Sequence, residues 1–154
     1  MLAQMPDRAW IAARIPHQGA MCLLDGVVSW NDTGIVCRAV SHRAQDNPLR
    51  AHDRLGAACG IEYAAQAMAV HGALLAGSDD APHAGYLVSV RGVALHVDRL
   101  DDIAAELSVA ADCVMRQAGN VLYAFSVRAQ DRLLLQGRAA VVLDAAALVN
   151  GGKP

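Results

Sequence analysis

Apolar and polar positions divide the chain into two strand-forming blocks with a helical block between them. Residues 21–30 and 35–40 are rich in Val, Ile, Leu and Trp, and Asn31-Asp32-Thr33-Gly34 between them has the residue types of a tight turn. They predict a β-hairpin. Residues 56–76 are almost wholly small or apolar, with Ile61, Met68 and Leu75 at roughly helical spacing, and Gly77-Ser78-Asp79-Asp80 stops the run. A helix with so few polar positions must be covered on both sides. Four more strands are expected over 86–97, 104–117, 121–129 and 133–143, the last three joined by tight turns at 118–120 and 130–132. The alternation in Val121-Leu122-Tyr123-Ala124-Phe125-Ser126-Val127 indicates a sheet that buries mainly one face.

Ahead of the hairpin, Asp7 is placed to cap a helical turn through Ala12, and Pro16 ends it because the proline ring disfavours helical geometry at the residue before it. Residues 41–54, polar and carrying Pro48, Arg43, Arg50 and Arg54, form a connection long enough to suggest a functional loop. The order is two strands, one long helix, four strands. It predicts an α+β fold in which an antiparallel sheet of about six strands wraps the helix, as one domain over 1–148 with a disordered tail at 149–154.

Composition narrows the class. At 154 residues the chain buries a core without disulfides or metal staples, and with 55% hydrophobic but 4% aromatic residues that core is built from Ala, Val and Leu. Cys22, Cys37, Cys59 and Cys113 form no CxxC pair and read as reduced, buried, small apolar side chains. A net charge of −2 and a pI near 6.3 leave no basic stripe for nucleic acid. No apolar run approaches the roughly 18 residues of a membrane span, and the N-terminal stretch lacks the apolar centre of a signal peptide, so a cytoplasmic location is expected.

The helix carries the main candidate chemistry. Glu62 lies among Ala57, Ala58, Ile61, Ala64 and Ala65, and if it faces an apolar cleft, desolvation favours the neutral carboxyl that a proton donor needs. Alternatively it faces solvent near the helix start, where a carboxylate also suits the dipole. Gln66 is one turn on and can orient it. Gly60 either admits a substrate to the helix N-terminus or packs tightly on the sheet. A base would come from His17, His42 or His52, while His71, His83 and His96 read as structural. Arg14, Arg43, Arg50 and Arg54 are either a cationic rim around a tunnel mouth or ordinary solvated charge. No phosphate loop, nucleophile signature or metal cluster is apparent, so no cofactor or metal is expected.

Two strings carry a family resemblance. Ile15-Pro16-His17-Gln18-Gly19-Ala20-Met21-Cys22-Leu23-Leu24-Asp25-Gly26-Val27 resembles the opening of the hotdog-fold 3-hydroxyacyl-acyl carrier protein dehydratases. Gly60-Ile61-Glu62-Tyr63-Ala64-Ala65-Gln66 resembles their "G-(L/I)-(D/E)-x-x-x-Q" helix, and the nearest likeness is to the dehydratases of aryl-polyene gene clusters. The resemblance implies a hotdog fold, Glu62 and His17 as catalytic residues, and Gly60 and Gln66 as substrate-binding residues. It also implies an acyl carrier protein as partner, and a homodimer or heterodimer whose active sites are completed across the subunit interface. Pro48 stands where the usual family members keep the loop histidine, fourteen residues before the acid, so His17 is the first choice as base, ahead of His42 and His52. The implied reaction is loss of water from a 3-hydroxyacyl thioester to give a trans-2-enoyl thioester. Thioester hydrolysis, or a non-catalytic role beside a catalytic hotdog partner, are the alternatives.

Overall fold

The computed structural model describes residues 5–17, 19–77 and 86–142. The expected tail at 149–154, His83, and Leu143 at the end of the last predicted strand lie outside the described residues. Asp7 caps helix α1 (Arg8–Arg14) by accepting the Trp10 N–H at 3.0 Å, and Ile15 is extended, as a residue before proline must be. The first strand starts later than the apolar pattern predicts. Residues Gly19–Met21 make a 3₁₀ turn, and β1 runs over Gly26–Asn31. Cys22, Leu23 and Leu24 between them are as buried as strand residues but lie outside the sheet ladder. Side chains supply part of the backbone bonding here instead: Gln66 bonds the Leu23 N–H and the Met21 carbonyl before it, and Ser41 donates to the Leu23 carbonyl.

The hairpin turn is closed by Asn31, whose side-chain oxygen accepts from the Thr33 and Gly34 N–H groups at 2.9 Å each. Strand β2 (Gly34–Ala39) follows, then the long connection and helix α2 (Gly60–Ala76). The helix is shorter at its start than the pattern suggests, because Gly56 is extended and Ala57–Cys59 wind as a 3₁₀ turn whose Ala57 N–H is taken by the Asp98 carbonyl. Gly77 ends it in the left-handed conformation at φ 65°. The remaining strands are β3 (Tyr86–Leu95), β4 (Leu107–Gln117), β5 (Asn120–Ala129) and β6 (Arg132–Val142).

All pairings are antiparallel, in the order β1-β2-β4-β5-β6-β3, which leaves β1 and β3 at the edges. The connection through α2 therefore carries the chain from one side of the sheet to the other. Val121, Tyr123, Phe125 and Val127 alternate onto the buried face, and α2 lies on it with Tyr63, Ala64, Ala67 and Val70 inward. Gly60 fits one close approach: a Cβ there would sit 2.6 Å from a Leu135 methyl on β6. This is the hotdog arrangement. No helix among the described residues is long and apolar enough to cross a membrane.

The connection 41–54 is packed rather than open. His42 is fully buried, and its Nε2 donates to the Ile103 carbonyl at 3.0 Å. The Tyr63 hydroxyl sits between Ser41 Oγ at 2.8 Å and Asn47 Nδ2 at 3.0 Å. Ser41 spends its own proton on the Leu23 carbonyl, so Tyr63 donates to Ser41 and accepts from Asn47.

Candidate active site

His17 stands in the short loop between α1 and the Gly19–Met21 turn, and Glu62 on the first turn of α2. Forty-five positions apart in the sequence, they meet with His17 Nε2 3.1 Å from Glu62 Oε1. The contact forms within one chain, so no second subunit is needed to bring a histidine to Glu62. Glu62 is not sunk in an apolar wall: the inward face of α2 is made by Tyr63, Gln66, Ala67 and Val70, and Glu62 points across to the loop with 34% of its side chain exposed. His17 is similarly placed at 27%. Its Nδ1 is buried and has no hydrogen-bond partner among the described residues, so Nε2 is the ring nitrogen turned to the site.

A histidine and a carboxylate sharing one proton can offer a lone pair and an acidic hydrogen side by side. With the proton on Glu62, Nε2 is a base and the carboxyl a donor.

The other expected contributors have different surroundings. Gly60 faces Leu135, and Gln66 is fully buried with its amide engaged by main-chain groups rather than by Glu62. His42 is tied to the Ile103 carbonyl, and burial lowers its pKa. His52 is exposed on a tight turn spanning Ala51 and Arg54, at φ 53°. Neither approaches Glu62 as His17 does. The four arginines are engaged with their own chain: Arg14 lies 4.3 Å over the Trp10 ring, and Arg43 and Arg54 donate to the Ala104 and Asp98 carbonyls. Arg50 donates to the Asp53 carbonyl. Burial raises the Cys22 and Cys59 thiols and pushes Cys37 up to about 12, which keeps them protonated and unreactive.

Several supporting residues had no clear mark in the sequence. Ser41, Asn47 and Tyr63 form a buried network, and Asp101 binds the Leu55 N–H at 3.0 Å and the Arg99 guanidinium, fixing the segment that leads into α2. Arg99 holds the Asp101 carboxyl well below the usual carboxylate range. Asp25, just ahead of β1, accepts the Val40 N–H at 2.7 Å and so closes the open end of the hairpin.

A long helix held in a six-stranded sheet of this order, with a histidine–carboxylate pair where the N-terminal loop crosses it, defines a hotdog protein with acid–base potential. Solved structures agree on the fold. A chain of the dehydratase heterocomplex ApeI:P from Xenorhabdus doucetiae is 19% identical, with 93% of this chain and 97% of that one covered and a TM-score of 0.79. A thioesterase family protein from Silicibacter pomeroyi is 13% identical, covering 75% and 80%, at 0.55. Thioesterase superfamily member 2 from Mus musculus is 16% identical, covering 74% and 77%, at 0.52. No curated protein matches by sequence. Residues 9–149 match the model of the ApeP dehydratases, and the chain belongs to this ApeP-like dehydratase family.

Proposed function

We propose that this chain removes water from a 3-hydroxyacyl thioester, carried on an acyl carrier protein, to give the trans-2-enoyl thioester in aryl-polyene or fatty-acid-like synthesis. The observation that carries the reading is the 3.1 Å contact of His17 Nε2 with Glu62 Oε1 in a dehydratase-family chain. His17 Nε2 takes the proton on C2 while the C3–O bond breaks, and Glu62 gives its proton to the departing hydroxyl, which leaves as water. The electron pair of the C2–H bond becomes the new double bond. The pair is left as imidazolium and carboxylate, close enough for the proton to pass straight back from His17 to Glu62. No cofactor enters the step.

We place the activity in the cytoplasm, in a dimer with an identical or a second hotdog subunit. The sheet edges at β1 and β3 are suited to extension by another sheet, and the similar chain from Xenorhabdus doucetiae belongs to a heterocomplex. The test is to offer purified protein a 3-hydroxyacyl-carrier substrate and follow enoyl absorbance and thiol release. Enoyl formation is expected. Free thiol without enoyl would mean hydrolysis instead, and silence that ends only on adding a second hotdog subunit with its own acid–base pair would make this chain the helper.

A further inference from the structure

We propose that Gln66 is a positioning residue that sets His17 against Glu62 by clamping the loop from which His17 projects. The inference rests on the reading of His17 and Glu62 as the working pair. Gln66 is on α2 one turn beyond Glu62 and fully buried, a costly place for an amide unless both of its ends are bonded. Both are: Oε1 accepts the Leu23 N–H at 2.9 Å, and Nε2 donates to the Met21 carbonyl at 2.7 Å. A donor and an acceptor in one plane, meeting a carbonyl and an N–H two residues apart, reproduce what a neighbouring strand would offer. Gln66 thus replaces the missing ladder partner of the Cys22–Leu24 stretch.

The clamp is close to His17 in the chain. Met21 closes the 3₁₀ turn that begins at Gly19, whose carbonyl accepts from the Cys22 N–H and from Arg8, both at 3.0 Å. Upstream, Ile15 is fully buried and its N–H is bonded to the Ile11 carbonyl. His17 is therefore suspended between a buried anchor two residues before it and a turn held by Gln66 four residues after it. The same helix carries Glu62, so one rigid element sets the position of both partners. Leucine at 66 would fill the volume and release the turn. Glutamate would keep the acceptor for Leu23 but set a negative charge against the Met21 carbonyl.

The test uses the full chain with labelled histidine and needs no substrate for its first arm. In the parent, Glu62→Gln should move the His17 ring nitrogen resonances. In Gln66→Leu that response should be lost, while in His71→Leu, a change in the buried far half of the same helix, it should remain. In the second arm, Gln66→Leu should lower kcat about 10²-fold with KM within about 3-fold, as expected when a reacting group is displaced by about an ångström. If Gln66→Leu does not fold, Gln66→Glu takes its place, with a weakened response and a smaller loss of kcat expected. A full Glu62-dependent response of His17 in whichever Gln66 variant folds overturns the proposal. Failure of the parent to form enoyl product would count against the dehydratase reading alone, because the resonance arm is independent of turnover.

Discussion

The two halves of α2 each hold a histidine contact, and the contacts are opposites. At the N-terminal end His17 meets Glu62, both partly exposed, and one ring nitrogen faces a group with which it can exchange a proton. Toward the C-terminal end His71 is fully buried: its Nε2 donates to the Asn31 carbonyl at 2.8 Å, which leaves Nδ1 to accept the Tyr123 hydroxyl at 2.7 Å. The neutral ring is completely satisfied there, and burial lowers its pKa. The tyrosine too is buried and pushed up to about 12, so neither partner ionises at neutral pH. A histidine works as a catalyst where an acid partner and access coincide. Buried between neutral partners, it is a cross-link, here joining helix, hairpin and β5.

Breaking the first contact should have the largest effect and leave the fold intact. His17→Ala and Glu62→Gln are each expected to lower enoyl formation by at least ~10²-fold with unchanged circular dichroism. Activity within a few-fold of the parent for either variant would remove that residue from the mechanism. His71→Leu should do the reverse, orphaning the Tyr123 hydroxyl and the Asn31 carbonyl at a cost of about 2–4 kcal/mol in urea unfolding while turnover per folded molecule is retained. Equal stability would show the cross-link to be dispensable.

Gly60→Ala tests the seat of the N-terminal end of α2 on the sheet, since the added methyl meets Leu135. A loss of about 1–3 kcal/mol is expected, with a smaller loss of turnover. A variant as stable as the parent would mean that Leu135 moves aside freely. The mildest test is by pH. Burial lowers the pKa of both His42 and His71 below the ordinary 6.5, so the unfolded chain takes up protons that the folded one refuses. Their contribution to stability is complete above about pH 6.5 and is lost as pH falls below it, by up to ~1.4 kcal/mol per pH unit for each histidine. His71→Leu should flatten that acid slope, by at most one proton, measured as urea stability between pH 7 and pH 5. An unchanged slope would assign the proton uptake elsewhere.

Elements whose pattern is local were legible before any coordinates. The Asp7 cap, the Asn31 turn, the alternation of β5 and the end of α2 at Gly77 each depend on residues within a few positions of one another. Residues 22–24 misled because a buried segment outside a sheet is as apolar as a strand; only their hydrogen-bond partners, 43 positions away for the Leu23 N–H, distinguish the two. Gly60 posed the same difficulty, since the pattern allows substrate access or close packing and Leu135 lies on a distant strand.

Sequence by itself determined the order of elements, the long helix, Glu62 as the candidate acid and a short set of candidate histidines with His17 first. That the His17 ring actually reaches Glu62 was decided only by the tertiary structure. Apolar periodicity records which face of an element is buried, whereas the approach of His17 to Glu62 arises from where a folded loop crosses a helix. That crossing is set by hydrogen bonds from Gln66 and Ser41 to the main chain of Met21 and Leu23, atoms every residue possesses and no sequence pattern can mark.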